Sequence, residues 1–203
     1  MGLLRACADA VLIGAGTLRP DASHRWTAEH IYPQAADAFA ELRRSLGLPP
    51  TPALAVVTAS GRLPSLQAMT PGSLVITTAA GAAALGGTVA EGTEVVVASA
   101  GESVAAADVV AALRHRGHAR ILTEGGPRLF GQLLSAGLVD ELFLTLSPVV
   151  FGGAPPATGI AGHLPPATEP RFLAALLSAR RAGSHLLLRY RFGSPPPGEP
   201  PDR

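Results

Sequence analysis

The chain has 203 residues, of which 47% are hydrophobic and 15% charged, and this size and composition are typical of one compact domain. The 16 basic and 15 acidic residues nearly cancel, which argues against a nucleic-acid or anionic-membrane partner. One cysteine, no signal segment and no run of about 18 apolar residues predict a cytoplasmic protein without a membrane span.

Short apolar runs rich in Val, Ile, Leu and Thr recur along the chain and predict β-strands. Because these runs are almost continuously apolar, they are typical of strands buried on both faces of a largely parallel sheet. The predicted strands cover residues 8–14, 53–58, 73–78, 94–99, 119–124 and 141–150.

Segments with helical spacing lie between these strands. They cover residues 33–47, 103–117 and 127–137, and each ends in glycine, the residue that most often caps the carboxyl end of a helix. The alternation of strands and helices favours an α/β fold with helices on both sides of the sheet and right-handed crossovers.

The pattern changes after residue 151. Residues 152–170 are rich in proline and glycine and predict a loop, and residues 171–192 predict two antiparallel strands around "RAGS", a hairpin at the sheet edge. We therefore expect one domain over residues 1–193, followed by a disordered Pro-rich tail over residues 194–203.

The beginning of the chain is unusual for this fold class. A short predicted helix, "GLLRACAD", leads directly into a core strand. Because such domains usually have a strand and a helix before that point, we expect the first strand of the fold to be missing from this sequence.

Two glycine-rich junctions follow predicted strands. In "TEGGPRLFGQLL" the glycines Gly125 and Gly126 precede Pro127, which is tolerated in the first turn of a helix. The helix should begin there, with its free N–H groups and positive dipole end aimed at a phosphate at the carboxyl edge of the sheet. In "LIGAGTLRPD", Gly14 and Gly16 form a second junction at the same edge.

Each junction has a simpler explanation, since short glycine motifs also make tight strand-to-helix turns. Neither is the G-x-G-x-x-G dinucleotide motif, because Arg19 occupies the third glycine position of the first junction. This disfavours an ordinary Rossmann dehydrogenase.

The complete absence of lysine excludes a P-loop lysine and a Schiff-base lysine.

Four segments together resemble a known family, the reductase domain of bacterial riboflavin biosynthesis, or RibD C-terminal family. They are "ADAVLIGAGTLRPD", "LAVVTASGRL", "LVITT" and "ILTEGGPRLFGQLLSAGLVDELFLTLSPVVFGG", in the family's order. The resemblance implies a dihydrofolate-reductase-like fold of three α/β/α layers, with a mostly parallel mixed sheet and a C-terminal antiparallel hairpin. It also implies a homodimer, formed as in similar proteins through the last strands.

The activity implied by the resemblance is an NADPH-dependent reduction of 5-amino-6-(5-phosphoribosylamino)uracil, with hydride delivered to the ribose C1′. The deaminase that accompanies this reductase in bifunctional relatives is excluded, because its zinc signature needs more than one cysteine. The positions that match the family's cofactor-binding residues are Gly16, Thr17, Asp21, Thr58, Ser60, Gly125, Gly126, Pro127, Arg128 and Leu129.

Two residues are candidates for binding the substrate. Glu124 matches an acidic position that faces the substrate, where it would orient or polarise the reacting group; its alternative role is an acid stabilised by the helix dipole. Arg25 lies where similar proteins place an arginine for the substrate's phosphate, although a solvated loop arginine is an equal alternative. Asp21 has a comparable alternative as a turn residue after Pro20. No metal site is expected, since His115 and His118 have no third ligand near them in sequence.

The sequence departs from the family at two points. Relatives have a basic residue where Ala59 stands, with Arg62 the nearest substitute, which weakens the preference for NADPH over NADH. The family's first strand and its S-x-D-G substrate motif are absent. Two alternatives therefore stay open: a dihydrofolate-reductase-like reductase of another pterin or pyrimidine, and a truncated, non-catalytic nucleotide-binding dimer module.

Overall fold

The computed structural model describes residues 1–18, 24–64, 69–87, 89–149 and 172–193. Three features predicted from the sequence lie outside these residues: Asp21, the loop at 152–170 and the tail at 194–203.

Five parallel strands form the central sheet in the described part of the chain. They are β1 (Ala10–Gly14), β2 (Ala53–Thr58), β3 (Leu74–Thr78), β4 (Glu94–Ser99) and β5 (Ile121–Thr123). Their order across the sheet is β4-β3-β2-β1-β5, so β1 lies between β2 and β5. Because all five strands run in the same direction, their carboxyl ends lie along one edge of the sheet.

The middle of the sheet explains why these runs are almost purely apolar. In β1, residues 10–13 have no exposed surface, since neighbouring strands flank β1 and packed side chains cover both faces. Side chains alternate between the faces: Leu12 packs in one hydrophobic cluster and Ile13 in the other. Each face therefore has its own core.

Six α-helices accompany the sheet within the described ranges. They are α1 (Gly2–Cys7), α2 (Ala28–Ile31), α3 (Ala36–Ser45), α4 (Ala79–Leu85), α5 (Ala106–Arg114) and α6 (Pro127–Ser135). Helices α5 and α6 supply apolar side chains such as Leu113 and Leu133 to the first cluster, whereas Leu85 of α4 belongs to the second. This confirms the predicted α/β fold with helices on both faces. None of the described helices is long and apolar enough to cross a membrane.

A second sheet is formed by the C-terminal strands. Strands β6 (Glu141–Leu146), β7 (Ala174–Ala182) and β8 (His185–Phe192) pair antiparallel in the order β6-β8-β7. The predicted hairpin is confirmed, and its turn contains Gly183 with a φ of 58°. In the described residues it pairs with β6 in this second sheet, whereas the sequence predicted it at the edge of the parallel sheet.

Strand β6 corrects one detail of the sequence analysis, which placed residues 141–150 in the parallel sheet. The strand ends at Leu146, and its described partner is β8, which runs in the opposite direction. The physical reason is the alternation of Leu142, Leu144 and Leu146 with a second set that includes the polar residues Glu141 and Thr145. That alternation is typical of an antiparallel strand with one face toward solvent.

Helix α4 was missed by the sequence analysis. Its sequence, "AAGAAAL", consists of small apolar residues and has no polar face from which a helical period could be read. The predicted helix at 33–47 is present, but it begins with a 3₁₀ turn at Pro33–Ala35 before α3.

A buried arginine holds the end of helix α1 in place. The Arg43 side chain, from α3, donates to the backbone carbonyls of Arg5, Ala6 and Ala8 at 3.1, 3.2 and 2.8 Å. These contacts satisfy carbonyls that the end of a helix leaves without partners. Burial lowers the pKa of the Arg43 guanidinium, while Asp9 and other nearby groups oppose that shift.

Candidate functional site

The two glycine junctions lie side by side at the carboxyl edge of the central sheet. They follow β1 and β5, which are neighbouring strands, and the backbone N–H of Glu124 donates to the Leu12 carbonyl at 3.0 Å. On the other side of β1, strand β2 ends at Thr58. The structure therefore places all the described candidate residues on neighbouring segments of one edge.

Helix α6 begins at Pro127, as the sequence predicts. Gly126 is its N-cap residue, and no described side chain caps this end of the helix. The N–H groups of Arg128 and Leu129, in the first turn, consequently have no partner within the helix. Together with the positive end of the helix dipole, they form a binding position for an anion.

The glycines at these junctions differ in what they permit. A Cβ built on Gly125 would lie 2.7 Å from Cδ2 of Leu129, so Gly125 allows the strand end to pack against α6. A Cβ on Gly14, Gly16 or Gly126 would meet no described atom within 4 Å. These three glycines therefore border open space, where a ligand can approach the backbone closely.

The side chains in the first turn of α6 differ in their exposure. Leu129 is buried in the core, so only its backbone is available to a ligand, whereas Arg128 is exposed. Arg128 lines a shallow cavity of about 660 Å³ between the start of α5 and one side of α6, together with Ser103 and Gln132. A smaller depression of about 350 Å³ near Leu138 includes none of the candidate residues.

Glu124 has a partner that the sequence analysis did not identify. The guanidinium of Arg5 donates from Nε to Oε1 of Glu124 at 2.6 Å and from Nη2 to Oε2 at 2.8 Å. The two side chains are 3% and 11% exposed, so this bidentate ion pair is largely shielded from water. The Glu124 carboxylate is therefore bound to a side chain of α1.

Arg5 also contacts the loop that precedes α2. Its Nη1 donates to the carbonyl oxygens of Arg25 and Thr27, each at 3.2 Å, and the guanidinium lies 5.0 Å from the centre of the Trp26 ring. One signal in the sequence could have revealed this role. Arg5 is a charged residue in an otherwise apolar helix, and a buried charge needs a partner.

The candidates at the end of β2 bond mainly within their own loop. Thr58 is buried and its Oγ1 donates to the Arg62 carbonyl at 3.5 Å, while the Ser60 hydroxyl accepts from the Arg62 N–H at 3.4 Å. Next to them, Gly61 adopts a φ of 71°, and a Cβ there would lie 2.1 Å from the Gly81 carbonyl oxygen. This loop therefore packs tightly against the start of α4.

The remaining candidates lie close to these segments. Gly16 and Thr17 form a 3₁₀ turn, Ala15–Thr17, directly after β1, and the Arg25 side chain is exposed on the loop that Arg5 holds. Asp21 lies outside the described residues. No group of three or more His, Cys, Asp or Glu side chains in the described ranges is arranged to bind a metal ion.

The sequence profile of the RibD C-terminal domain matches residues 1–178 of the chain. The search of curated proteins found no match to this chain.

Several solved structures are similar to this fold. A pyrimidine reductase-like protein from Corynebacterium diphtheriae has a TM-score of 0.68 and 24% identity, covering 96% of this chain and 79% of that one. RibD from Acinetobacter baumannii has a TM-score of 0.65 and 17% identity, covering 95% of this chain and 49% of that one. The riboflavin biosynthesis reductase Rib7 from Saccharomyces cerevisiae has a TM-score of 0.62 and 14% identity, covering 95% and 78%. At these identities the similarity establishes the fold, and the chain spans about half of the A. baumannii protein.

Proposed function

The chain belongs to the RibD C-terminal domain family, and from this premise we propose that it is an NADPH-dependent reductase of riboflavin biosynthesis. The proposed reaction reduces 5-amino-6-(5-phosphoribosylamino)uracil, with hydride transfer to the ribose C1′. A neighbour of the same fold, from Thermotoga maritima, is described as a deaminase and 5-amino-6-(5-phosphoribosylamino)uracil reductase. The observation that carries the proposal is the uncapped, open start of α6 beside the largely shielded Glu124 carboxylate.

The residues at the sheet edge fit a dinucleotide diphosphate. The free N–H groups of Arg128 and Leu129 would hold the phosphates, and the open space over Gly16 and Gly126 leaves room for them next to the backbone. The other proposed cofactor contacts are Thr17, Asp21, Thr58, Ser60, Gly125 and Pro127. Bound NADPH supplies the hydride; the protein supplies the orientation.

Arginine side chains near the candidate site are the candidates for the NADPH 2′-phosphate. Arg128 is exposed and lines the cavity between α5 and α6, and Arg62 lies on the loop after β2. A guanidinium can bind a phosphate with two hydrogen bonds, which favours NADPH over NADH. We therefore expect Arg128→Gln to weaken NADPH binding more than NADH binding.

Glu124 is proposed to orient the substrate. Both of its oxygens accept from Arg5, and each oxygen has lone pairs that remain available to an N–H or O–H group of the substrate. A fixed acceptor of this kind holds the reacting carbon near the hydride donor and stabilises positive charge on the ring-opened imine. Arg25, exposed on the adjacent loop, is proposed to bind the substrate's phosphate.

The C-terminal sheet supports the proposal that the enzyme is a homodimer. Its strand register places Leu144, Leu146 and Leu186 on one face, where they are 36%, 55% and 40% exposed. The opposite face carries the ion pair between Arg189 and Glu141, with bonds of 2.9 and 2.8 Å. The opposite face also exposes Phe143 and Leu187, but it carries the charges of this ion pair, so we place the second copy on the leucine face.

Light scattering tests the dimer through a matched pair of variants. Leu146→Glu places a charge on the leucine face, and Thr145→Glu places the same charge on the other face of the same strand. We expect the first variant to be monomeric and the second to remain dimeric. Wild-type protein that is monomeric at micromolar concentration would contradict the proposal.

Two measurements test the proposed function. The first is NADPH binding, followed by fluorescence of the chain's only tryptophan, Trp26, which contacts Arg5. The second is NADPH oxidation with the phosphoribosylaminouracil and, as alternatives, other pyrimidine and pterin substrates. NADPH binding without turnover of any of them would favour a non-catalytic nucleotide-binding module, and no NADPH binding would overturn the proposal.

A further inference from the structure

We propose that Arg5 is a positioning residue that aligns the Glu124 carboxylate and fixes the adjacent substrate loop, residues 24–27, in place. This inference rests on the proposed function, because it assigns Arg5 a part in the same reaction. The two residues are 119 positions apart in the sequence, so their contact is created by the fold.

The geometry of the ion pair fixes the direction of the carboxylate. Two parallel donor bonds from one planar guanidinium, at 2.6 and 2.8 Å, hold both oxygens of Glu124 in the guanidinium plane. A lysine ammonium, whose three N–H donors share one nitrogen, would allow the carboxylate to rotate. Reaction rates are sensitive to such rotation, since a misplacement of about 1 Å can cost roughly 100-fold in rate.

Arg5 acts through Glu124 and not on the substrate directly. Its side chain is 3% exposed, and each of its three nitrogens donates to an acceptor: Nε and Nη2 to Glu124, and Nη1 to two backbone carbonyls. One face of the guanidinium also lies over Trp26. The buried side chain has little surface from which to reach a ligand.

The same side chain connects three segments of the candidate site. Arg5 belongs to α1, Glu124 follows β5, and the acceptor carbonyls of Arg25 and Thr27 belong to the substrate loop. Loss of the guanidinium would therefore release the proposed phosphate ligand Arg25 as well as Glu124. The first turn of α6 makes none of these contacts, so NADPH binding should be preserved.

The experiment compares Arg5→Met and Arg5→Lys with a variant of a second buried arginine, Arg43 of α3, which contacts the end of the same helix α1. We expect Arg5→Met to lower kcat/KM for the phosphoribosylaminouracil by roughly 100-fold, through both kcat and KM, with the NADPH Kd unchanged within about twofold. The kcat/KM of Arg5→Lys should lie between the values of Arg5→Met and the wild type, because lysine restores the charge but not the bidentate geometry. Added methylguanidinium should partly restore kcat in Arg5→Ala.

Arg43→Lys is the matched control. Arg43 holds the end of α1 through backbone carbonyls, and its bonds go to those carbonyls and not to Glu124. This variant should lower the melting temperature while the folded protein keeps its kcat. If Arg5→Met and Arg43→Lys lose stability to a similar extent and both retain kcat, Arg5 has only a structural role and the inference is wrong.

A double-mutant cycle separates this inference from the proposed function. Urea unfolding of Arg5→Met, Glu124→Gln and the double variant should show a coupling of at least about fivefold in the unfolding equilibrium constant. If the cycle shows this coupling but the wild-type protein turns over no substrate, the proposed reaction is wrong, and the positioning role is wrong with it. Wild-type turnover together with full activity of Arg5→Met would overturn the positioning role alone.

Discussion

Two helices begin at the same edge of the central sheet, and their first turns are constructed differently. At the start of α4, the Thr78 hydroxyl accepts from the Gly81 N–H at 2.9 Å and donates to the Ala59 carbonyl at 2.8 Å. At the start of α6, the N-cap residue is Gly126, which has no side chain. The first turn of α4 is therefore satisfied by the protein itself, and the first turn of α6 leaves its amides available.

Packing reinforces this difference. A Cβ on Gly81 would lie 2.1 Å from Oγ1 of Thr77, and a Cβ on Gly61 would lie equally close to the Gly81 carbonyl oxygen, so there is no room for a ligand between these residues. A Cβ on Gly126 would meet no described atom within 4 Å. Of the two helix starts, only that of α6 has no side-chain cap, which is why we propose the phosphate position there and not at α4.

The largest expected effect on stability comes from adding a methyl group at the junction between Gly61 and Gly81, at the start of α4, which we call the closed junction. Gly61→Ala would place a methyl group against the Gly81 backbone and force an alanine into a φ of 71°, so we expect a loss of about 3 kcal/mol or more in unfolding free energy. Urea denaturation measures this loss. Because the same loop carries the proposed cofactor contacts Thr58 and Ser60, the fraction that remains folded should also bind NADPH more weakly. A small loss of stability would mean that the close contact is not required.

A smaller effect on stability is expected at the start of α6, at Gly125. Gly125→Ala would press a methyl group against Leu129, and we expect a loss of about 1–2 kcal/mol as that side chain shifts. Gly16→Ala is the control, since its methyl group would enter open space and should change stability by less than about 0.5 kcal/mol. Equal losses in the two variants, measured by urea unfolding, would contradict the packing role assigned to Gly125.

Removal of the cap from α4 tests the other side of the comparison. Thr78→Ala deletes the hydroxyl that bonds the Gly81 N–H and the Ala59 carbonyl, and we expect a loss of about 1 kcal/mol. The NADPH Kd should not change, because α4 is not proposed to contact the cofactor. A Kd that rises severalfold in Thr78→Ala would show that the cap of α4 also orders the loop that carries the proposed contacts Thr58 and Ser60.

The smallest effect is expected at the opposite, amino edge of the sheet. Glu94 begins β4, and its hydrogen bond to Arg116 lowers the pKa of its carboxyl group. Since the folded pKa is depressed, the pair contributes stability above the usual carboxyl pKa and loses it as the pH falls through the folded value. Because the pair is partly exposed, we expect no more than a few tenths of a kcal/mol.

Thermal unfolding of Glu94→Gln and wild type at pH 7 and pH 3 measures this contribution. The difference between the two proteins should shrink on acidification, and NADPH binding at pH 7 should be the same in both. A difference that grows toward pH 3 would contradict the sign of the pKa shift.

Local patterns predicted much of this fold. The strand at 53–58 and the strand at 94–99 have the predicted bounds, because each is built around a run of small apolar and β-branched residues. The start of α6 was predictable from Pro127, whose fixed φ suits the first turn of a helix.

Features that depend on distant residues could not be predicted in the same way. The Arg5–Glu124 ion pair and the contact between Gly61 and Gly81 join residues that only the folded sheet brings together. Helix α4 has no polar face, and the direction of β6 depends on its pairing with β8. The candidate segments of the site were therefore visible in the sequence, but the side chain that connects Glu124 to the neighbouring loop was not.

Gly126→Asp tests the central claim most directly, because it should change stability and cofactor binding in opposite directions. An aspartate at the N-cap can accept from the free amides of α6 and suits the helix dipole, so the protein should become more stable by about 0.5–1 kcal/mol. The same carboxylate would occupy and repel the phosphate position, so the NADPH Kd should rise at least about tenfold. A more stable variant that binds NADPH as tightly as wild type would show that the start of α6 does not hold the cofactor.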